Sequence, residues 1–289
     1  MSKCQVCRES VIRPFSDQKW NFIGKEYSLV ECVSCGTVFT NPMPDDETLS
    51  KVYSNCFDYR WYQDHYQAKY KDSLIRLDEY KGLLGKRVLD FGGGVGYFSK
   101  AAESRGFISI TYDPFKVKGD RAQGKWDTLV ALHVLEHSNN LARTIKEIKE
   151  LLMPGGNIIL TVPNYASSGY KGLGMAWVWA QPPLLHIFHF NFEGLKKLLA
   201  YHGFANISAS YHERWDANLY TDLKDVAFYR KLDSLWGDKY INRSSFLRRT
   251  AAKISSYFRY RGLIKALEGY SKGNSSYAEL QVTATLAKK

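Results

Sequence analysis

Glycine occupies every second position from 92 to 96, shortly after an acidic side chain at position 90. The residues are Asp90, Gly92, Gly94 and Gly96, in the run VLDFGGGVGYF. A strand that ends in an acidic residue, followed by such a loop and a helix, brings backbone N–H groups close to a ligand at the helix N-terminus. A dinucleotide-binding loop that starts at Gly92 requires a glycine at position 97, which is Tyr97 here. The loop therefore predicts a nucleotide-like ligand other than NAD; the structural alternative is a tight turn with Asp90 capping the helix.

Four of the five cysteines form two C-x-x-C pairs near the N-terminus. The pairs are Cys4 with Cys7 and Cys32 with Cys35, separated by 24 residues. This spacing is compatible with a ribbon in which each pair lies on a turn. Four thiolates close the coordination sphere of Zn²⁺ and leave no position for water, so we predict a structural zinc site and not a catalytic one. The fifth cysteine, Cys56, is predicted to be a buried free thiol.

Histidine and glutamate side chains follow another predicted strand. His133, Glu136 and His137 match the H-x-x-E-H pattern of a class of zinc proteases. That protease site requires a long metal-binding helix, whereas these residues begin at the tip of a buried strand, so a protease is not predicted. In a doubly wound fold ligands bind at the carboxyl ends of the strands, which places the three side chains beside a predicted ligand site.

The elements that must position these residues alternate between strands and helices from Arg87 onwards. Strands are predicted at 88–91, 109–112, 126–132, 157–162, 205–211 and 279–286, and helices at 97–105, 141–152 and 192–202. The second of these helices is expected to end in a turn at Pro154-Gly155-Gly156. This alternation predicts the α/β fold class, with a doubly wound, mostly parallel sheet covered by helices.

Four segments in this order resemble the class I S-adenosylmethionine (SAM)-dependent methyltransferases. They are DFGGGVG, WDTLVALHVLEH, LLMPGGNIILTVPN and HIFHFNFEGLKKLLAYHGF, and together they cover about residues 86–210. The resemblance implies a Rossmann-like sheet of the seven-stranded type. Only 12 residues, Pro114 to Lys125, separate Asp113 from the next predicted strand. They are too few for the family's usual helix and third strand, so the adenine-side contacts are not placed, although Asp120 is a candidate.

The resemblance also implies SAM as the cofactor and names the residues that bind it. In this family the glycine loop wraps the methionine end of SAM. A carboxylate at the end of the second strand, here Asp113, accepts hydrogen bonds from both ribose hydroxyls. The implied cofactor-binding residues are Asp90, Gly92, Gly93, Gly94, Gly96, Tyr97, Asp113, Pro114 and His133.

Methyl transfer from a sulfonium is an in-line displacement, in which a hydroxyl acceptor benefits from a base that removes its proton. Histidine is the usual base near neutral pH. The predicted catalytic residues are His133, Glu136, His137, His186 and His189, with His137 or His189 as the preferred base. In the alternative interpretation Glu136 and His137 order a loop, and His186 and His189 are packed, hydrogen-bonded histidines.

The cysteine module resembles the N-terminal zinc module of methyltransferases that act on deoxysugars and surface polysaccharides, through the run ECVSCGTVFTNPMPDDETLSKVY. The expected organisation is a zinc-ribbon module at 1–44, a helical lead-in at 45–85 and a methyltransferase domain at 86–289. That domain is expected to carry a basic helical insertion at about 224–272, before the last strand. The resemblance favours a hydroxyl of a nucleotide- or lipid-linked sugar or glycan precursor as acceptor, and thus a role in polysaccharide biosynthesis.

The net charge of +11 favours contact with an anionic partner. Residues 224–265 hold 11 Lys or Arg against 3 Asp or Glu. This stretch is interpreted either as a solvated helical flap over the active site or as a peripheral contact with an anionic membrane. The N-terminus has no apolar core, and no window reaches the ~18 uninterrupted apolar residues of a membrane span. A cytoplasmic location is therefore expected.

Two other functions fit part of the sequence. In the first, an RNA methyltransferase uses the zinc ribbon and the basic surface to hold nucleic acid. Base-modifying amino methyltransferases carry an acidic residue or Asn, two prolines and an aromatic after the fourth strand. This chain has LHVLEH there, which disfavours that class. In the second, a catalytically inactive SAM-fold protein serves as a binding or scaffold subunit, which the intact glycine loop argues against.

Overall fold

Two β-sheets form the framework of the protein in the computed structural model, which describes residues 3–10, 12–22, 24–56, 65–114, 122–167, 170–171, 183–212 and 279–288, without the side chains of residues 55 and 56. The N-terminal sheet contains β1 (Ile12–Pro14), β2 (Trp20–Phe22), β3 (Lys25–Cys32), β4 (Val38–Asn41) and β9 (Phe188–His189). The larger sheet contains β5 (Arg87–Phe91), β6 (Ile108–Tyr112), β7 (Trp126–Leu132), β8 (Leu152–Pro163), β10 (Phe204–His212) and β11 (Glu279–Leu286).

Within the described residues, five helices and one 3₁₀ turn accompany the sheets. The helices are α1 (Asp46–Cys56), α2 (Tyr66–Glu79), α3 (Tyr97–Ser104), α4 (Leu141–Leu151) and α5 (Phe192–Tyr201), and the turn is Leu135–His137. Within the part of the chain that the structure describes, no helix combines the length and the apolar content that crossing a membrane requires.

The larger sheet has the strand order β10-β11-β8-β7-β5-β6. Strands β8, β7, β5 and β6 are parallel, and β11 is antiparallel to both of its neighbours. The central strands carry nearly continuous apolar runs, such as Ile158–Leu160, because helices and loops cover both faces of a parallel sheet. The α/β fold with a mostly parallel sheet is thereby confirmed. In the larger sheet the described residues form six strands, and the seventh strand that the resemblance implies remains a prediction. Residues 115–121, which belong to the shortened connection after Asp113, are not described.

Helix α4 and strand β8 meet at one residue, which differs from the sequence prediction. Leu141, Ile145 and Ile148 give the helix one buried face, and the side chain of Asn140 caps it by accepting from the backbone N–H of Arg143 at 3.0 Å. β8 then begins at Leu152, five residues before the predicted start at Asn157. The pairing of β7 with β8 shifts in register at the Pro-Gly-Gly segment. This segment is therefore an irregularity within β8 and not a turn that precedes the strand.

The N-terminal sheet is joined to the rest of the chain by β9. Val38 and Phe39 of β4 pair antiparallel with His189 and Phe188. The cysteine module also shares a buried core with the segment around Ile187 and with the apolar face of α5. β9 was not predicted, because a two-residue strand carries no periodicity; pairing with β4 creates it, and it covers an edge that would otherwise be open.

Candidate cofactor and acceptor site

The predicted glycine loop joins the end of β5 to the start of α3. Gly92, Gly94 and Gly96 have φ of 73°, 56° and 84°, the left-handed region that disfavours residues with a side chain. A Cβ added to Gly92 would lie 2.6 Å from Cγ2 of Val134, so the loop also packs tightly against the segment after β7. A Cβ added to Gly94 would meet no described atom within 4 Å. The left-handed backbone at these three positions is what the predicted methionine-binding loop requires.

Asp90 stabilises the glycine loop through hydrogen bonds of its side chain. Its side chain is buried, and Oδ2 accepts from the backbone N–H of Ser99 at 3.2 Å and from the hydroxyl of Thr111 at 3.3 Å. A Cβ at Gly93 would overlap with this carboxylate. Asp90 thus caps the first turn of α3, which is the structural role weighed from the sequence. Oδ2 is engaged in shaping the loop.

Asp113 lies beside the glycine loop at the carboxyl edge of the sheet. Phe91 and Tyr112 are paired in the parallel register of β5 and β6, and the N–H of Gly92 donates to the carbonyl of Tyr112 at 2.7 Å. Asp113 and Pro114 follow directly and are half-buried. The fold thus brings the predicted ribose-binding carboxylate and the predicted methionine-binding loop to the same edge.

Tyr97 occupies the first turn of α3, directly after the loop. Its ring lies 5.3 Å from the ring of Tyr66 on α2, centroid to centroid. Burial, with a smaller contribution from Tyr66, raises the pKa of the Tyr97 phenol to about 12. The phenol is therefore neutral at the end of the loop, where it can line a cofactor site through its ring and its hydroxyl.

A chain of buried charged groups starts at Arg76 of α2. Its guanidinium binds Glu279 with two hydrogen bonds of 3.0 and 2.7 Å. Glu279 accepts from Nε2 of His133 at 3.0 Å, and Nδ1 of His133 lies 3.1 Å from Oε1 of Glu136. Burial opposes the charged form of the imidazole, but the two carboxylates outweigh it and raise the pKa of His133 to about 9. A protonated His133 has no lone pair, so its geometry favours a positioning role over that of a base.

Glu136, His137 and His186 form a compact group that we call the acceptor cluster. One potential ligand atom of each side chain lies within 4.8 Å of the other two. The His137 and His186 rings meet edge to face, with centroids 4.9 Å apart. Nδ1 of His137 lies 2.6 Å from the carbonyl oxygen of Leu185, and the backbone carbonyl of Glu136 accepts from the N–H of Ile187 at 2.7 Å. These bonds hold the turn after β7 against the segment that precedes β9.

His189, one of the two preferred bases, is fully buried in β9. Its ring packs on Tyr165 at 4.1 Å between centroids, and neither ring nitrogen has a hydrogen-bond partner among the described residues. Burial lowers the pKa of His189 to about 3. Since a base must reach its substrate and hold a proton near neutral pH, the geometry favours half-buried His137 over His189.

The four predicted metal-ligating cysteines come together in the N-terminal module. Each sulfur lies within 4.8 Å of the others, with 3.9 Å between Cys4 and Cys35 and 3.4 Å between Cys7 and Cys32. Tetrahedral Zn²⁺ with bonds of about 2.3 Å separates its sulfur ligands by about 3.8 Å. The four thiols therefore fit a closed four-sulfur zinc site.

Two buried residues of the site region were not predicted from the sequence. Arg76 was missed although it is a charged residue between apolar neighbours on a helix, and Glu279 was missed although it opens a largely apolar strand. A charged residue among apolar neighbours in a helix or strand indicates a buried ion pair, because charged side chains are almost never fully buried unless they are paired. Asp120 and the basic stretch at 224–265 lie outside the described residues, as does the side chain of Cys56.

Comparisons with known proteins found methyltransferases among the similar sequences and structures. The curated ubiquinone biosynthesis O-methyltransferase of Pseudomonas aeruginosa is 27% identical over 119 residues, covering 32% of this chain and 51% of that protein. The chain thus spans about half the length of the curated relatives it matches first. A SAM dependent methyltransferase from Archaeoglobus fulgidus is a structural neighbour at 18% identity, with a TM-score of 0.45 and coverage of 79% of this chain and 100% of that one.

A second structural neighbour is phosphoethanolamine N-methyltransferase 2 of Haemonchus contortus, solved with SAM. It is 11% identical, with a TM-score of 0.43 and coverage of 95% of this chain and 72% of that one. The model of the family described as "Methyltransferase domain" matches residues 62–209, which include the glycine loop, Asp113 and the acceptor cluster. Because that match spans more than half of the chain, the protein belongs to the methyltransferase domain family.

Proposed function

We propose that this protein transfers the methyl group of SAM to a hydroxyl of a sugar or glycan precursor that is nucleotide- or lipid-linked. The observation that carries the proposal is that the glycine loop and the acceptor cluster lie at the same edge of the sheet. Gly92 packs against Val134, two residues before Glu136. A cofactor on the loop and an acceptor on the cluster would therefore be neighbours, as in-line displacement requires.

The residues present fit SAM. The backbone of Gly92–Gly96 would hold the methionine end, and the carboxylate of Asp113 would accept hydrogen bonds from the ribose hydroxyls. Bound SAM supplies a methyl group on a positively charged sulfur. The protein's own part is to align the acceptor oxygen and to promote loss of its proton. The acceptor cluster offers one carboxylate and two imidazoles for that purpose.

The sugar acceptor is supported by the N-terminal module. The run at 31–53 resembles the module of methyltransferases that act on deoxysugars and surface polysaccharides. Strand β4 of this module pairs with β9, which begins two residues after His186, so the module borders the acceptor side of the site. We propose that the four cysteines hold a structural Zn²⁺ that keeps this border in place.

Calorimetry with SAM on the full chain tests the cofactor half of the proposal. We expect Asp113→Asn to weaken SAM binding by about 10- to 100-fold, because hydrogen bonds to a charged group contribute roughly 1.5–3 kcal/mol. Asp78→Asn is the matched control, since Asp78 lies on α2 in an exposed pair with Arg105, and it should bind like the wild type. An absence of SAM binding by the wild type would favour a scaffold protein.

The acceptor half is tested with SAM that carries a labelled methyl group. The full chain is incubated with nucleotide sugars, with lipid-linked sugars and, separately, with RNA. Label recovered in an ether of a sugar supports the proposal. Label recovered in RNA, with binding that weakens steeply as salt increases, would replace it by the RNA alternative.

A further inference from the structure

We propose that a groove between the N-terminal module and α5 binds a sugar unit of the acceptor, next to the unit that is methylated. The groove has a volume of about 570 Å³, within the range of small-molecule sites. One wall is the turn Val33–Gly36 of the module, and the opposite wall is the start of α5. Asn164 and Ala166, just after β8, and Tyr211 of β10 line the rest. The inference rests on the proposed function and makes its acceptor an oligosaccharide.

Hydrogen bonds hold the two walls of the groove together. Nδ2 of Asn191, the residue that caps α5, donates to the carbonyl of Cys35 at 3.1 Å. Nζ of Lys197 donates to the carbonyl of Ser34 at 2.6 Å. A Cβ added to Gly36 would lie 2.8 Å from Nδ2 of Asn191, so the walls also approach each other closely. The groove is therefore formed before a ligand arrives, and such a site loses less conformational entropy on binding.

The side chains that line the groove suit a sugar, whose ring has apolar C–H faces and a rim of hydroxyls. The rings of Phe192 and Tyr211 are half-buried and offer apolar surface to such a face. Burial, with a smaller contribution from the charge of Glu193, raises the pKa of Tyr211, so the phenol and the carboxylate lie near each other. A carboxylate accepts hydrogen bonds from sugar hydroxyls, and a phenol can donate or accept them.

The charge of the groove favours a neutral ligand over a polyanion. Among the described residues that line it, Glu193 is the one acidic side chain and Lys197 the one basic side chain. The ammonium of Lys197 is engaged by the carbonyl of Ser34. Nucleic acids and other phosphate-bearing ligands are bound instead by surfaces with an excess of Lys and Arg. A neutral sugar therefore fits the groove better than RNA or the phosphates of a carrier do.

A short series of ring contacts links the groove to the acceptor cluster. Tyr165 lies between the lining residues Asn164 and Ala166, and its ring packs on His189 at 4.1 Å between centroids. The ring of His189 lies 6.4 Å from the ring of His186, a member of the cluster. Only these two rings connect the end of β8 to the cluster within the described residues. Consecutive units of one oligosaccharide would therefore contact both places.

Binding of the full chain to an array of immobilised bacterial surface oligosaccharides, printed beside their component monosaccharides, tests the inference. We expect the wild type to bind oligosaccharides. Tyr211→Ala and Glu193→Ala should each weaken this binding at least about tenfold, because the first removes a stacking surface and the second a charged hydrogen-bond acceptor. The matched controls are Tyr201→Ala and Glu103→Ala, exposed residues of the same types outside the groove, which should bind like the wild type.

The outcomes separate this inference from the proposed function. No binding of any oligosaccharide by the wild type would overturn the inference, as would unchanged binding by both groove variants. If Tyr211→Ala does not fold by circular dichroism, Glu193→Ala decides alone, since that side chain is exposed in the first turn of α5. In the labelled-methyl assay, groove-dependent binding without methylation of any sugar contradicts the proposed function alone. Sugar methylation with the same KM in the wild type and both groove variants contradicts this inference alone.

Discussion

Among the predicted site residues, the imidazole of His189 has the surroundings that least stabilise its charged form. It is 1% exposed, it packs on Tyr165, and it has no hydrogen-bond partner among the described residues. Such an environment excludes the charged form. A residue that the sequence offers as a base therefore makes the folded state sensitive to acid.

We expect His189 to make stability fall as the pH decreases. Its folded-state pKa of about 3 lies below the value of about 6.5 in the unfolded chain, so the unfolded state binds the proton first. The contribution is fully present above pH 6.5 and is lost at about 1.4 kcal/mol per pH unit below it, or about 2 kcal/mol at pH 5. Urea unfolding at pH 8 and pH 5 measures this loss.

His189→Phe should remove this part of the pH dependence while keeping an aromatic ring in β9. The control is His65→Phe, because His65 is a half-buried histidine at the start of α2 and lies outside β9. If the wild type and His189→Phe lose the same free energy of unfolding between pH 8 and pH 5, the burial argument is wrong.

Among the elements, the N-terminal sheet depends most on contacts distant in the sequence. Its strands β1, β2 and β4 have three or four residues each, too few to be stable alone. Four cysteines flank its turns, and β9 completes its edge. If the proposed Zn²⁺ binds these cysteines, the sheet should depend on metal more strongly than the larger sheet does.

We expect Cys32→Ser to lower the zinc content by about one equivalent per chain. Because a four-sulfur site needs all of its ligands, the variant should also lose about 2 kcal/mol or more, or on the order of 5 °C in Tm. Elemental analysis and calorimetric melting measure the two effects, and Cys56→Ser, outside the four-sulfur set, is the control. Equal zinc content in both variants would contradict a structural zinc site at these cysteines.

Element boundaries were largely predictable because they follow local patterns. Strands β7 and β11 have the predicted bounds, and α3, α4 and α5 each end one residue before the predicted end. The early start of β8 and the existence of β9 were not predictable. The first depends on pairing with β7 and the second on pairing with β4. The paired segments are too short to carry a periodic pattern that would predict them.

Across the whole molecule, one buried ion pair joins segments that are far apart in the sequence. Arg76 of α2 and Glu279 of β11 are separated by 203 positions, and both side chains are 6% exposed. Burial disfavours the charge of Glu279, but Arg76 and His133 outweigh it and lower the pKa of this carboxyl well below its usual range. The pair thus holds the last strand against the helix that leads into the domain.

Removal of one partner should destabilise the fold strongly. We expect Arg76→Met to lower the free energy of unfolding by about 3–5 kcal/mol, because Glu279 would remain charged, buried and partly unpaired. Arg143→Met is the matched control: its two hydrogen bonds to Asp46 are exposed, and its loss should cost about 0–1 kcal/mol. Urea unfolding compares them, and similar losses for the two variants would refute the role of the buried pair.

The sequence by itself determined the α/β fold, the glycine loop, Asp113 as its companion and the two cysteine pairs. These features are local: positive φ, periodicity and ligand spacing each act within a few residues. The tertiary structure decided which histidine is accessible, that Glu136 faces His137 and His186, and that Arg76 and Glu279 support His133. These facts depend on burial and on contacts between distant segments, and the desolvation and pairing that set the state of each charged group arise only when those segments meet.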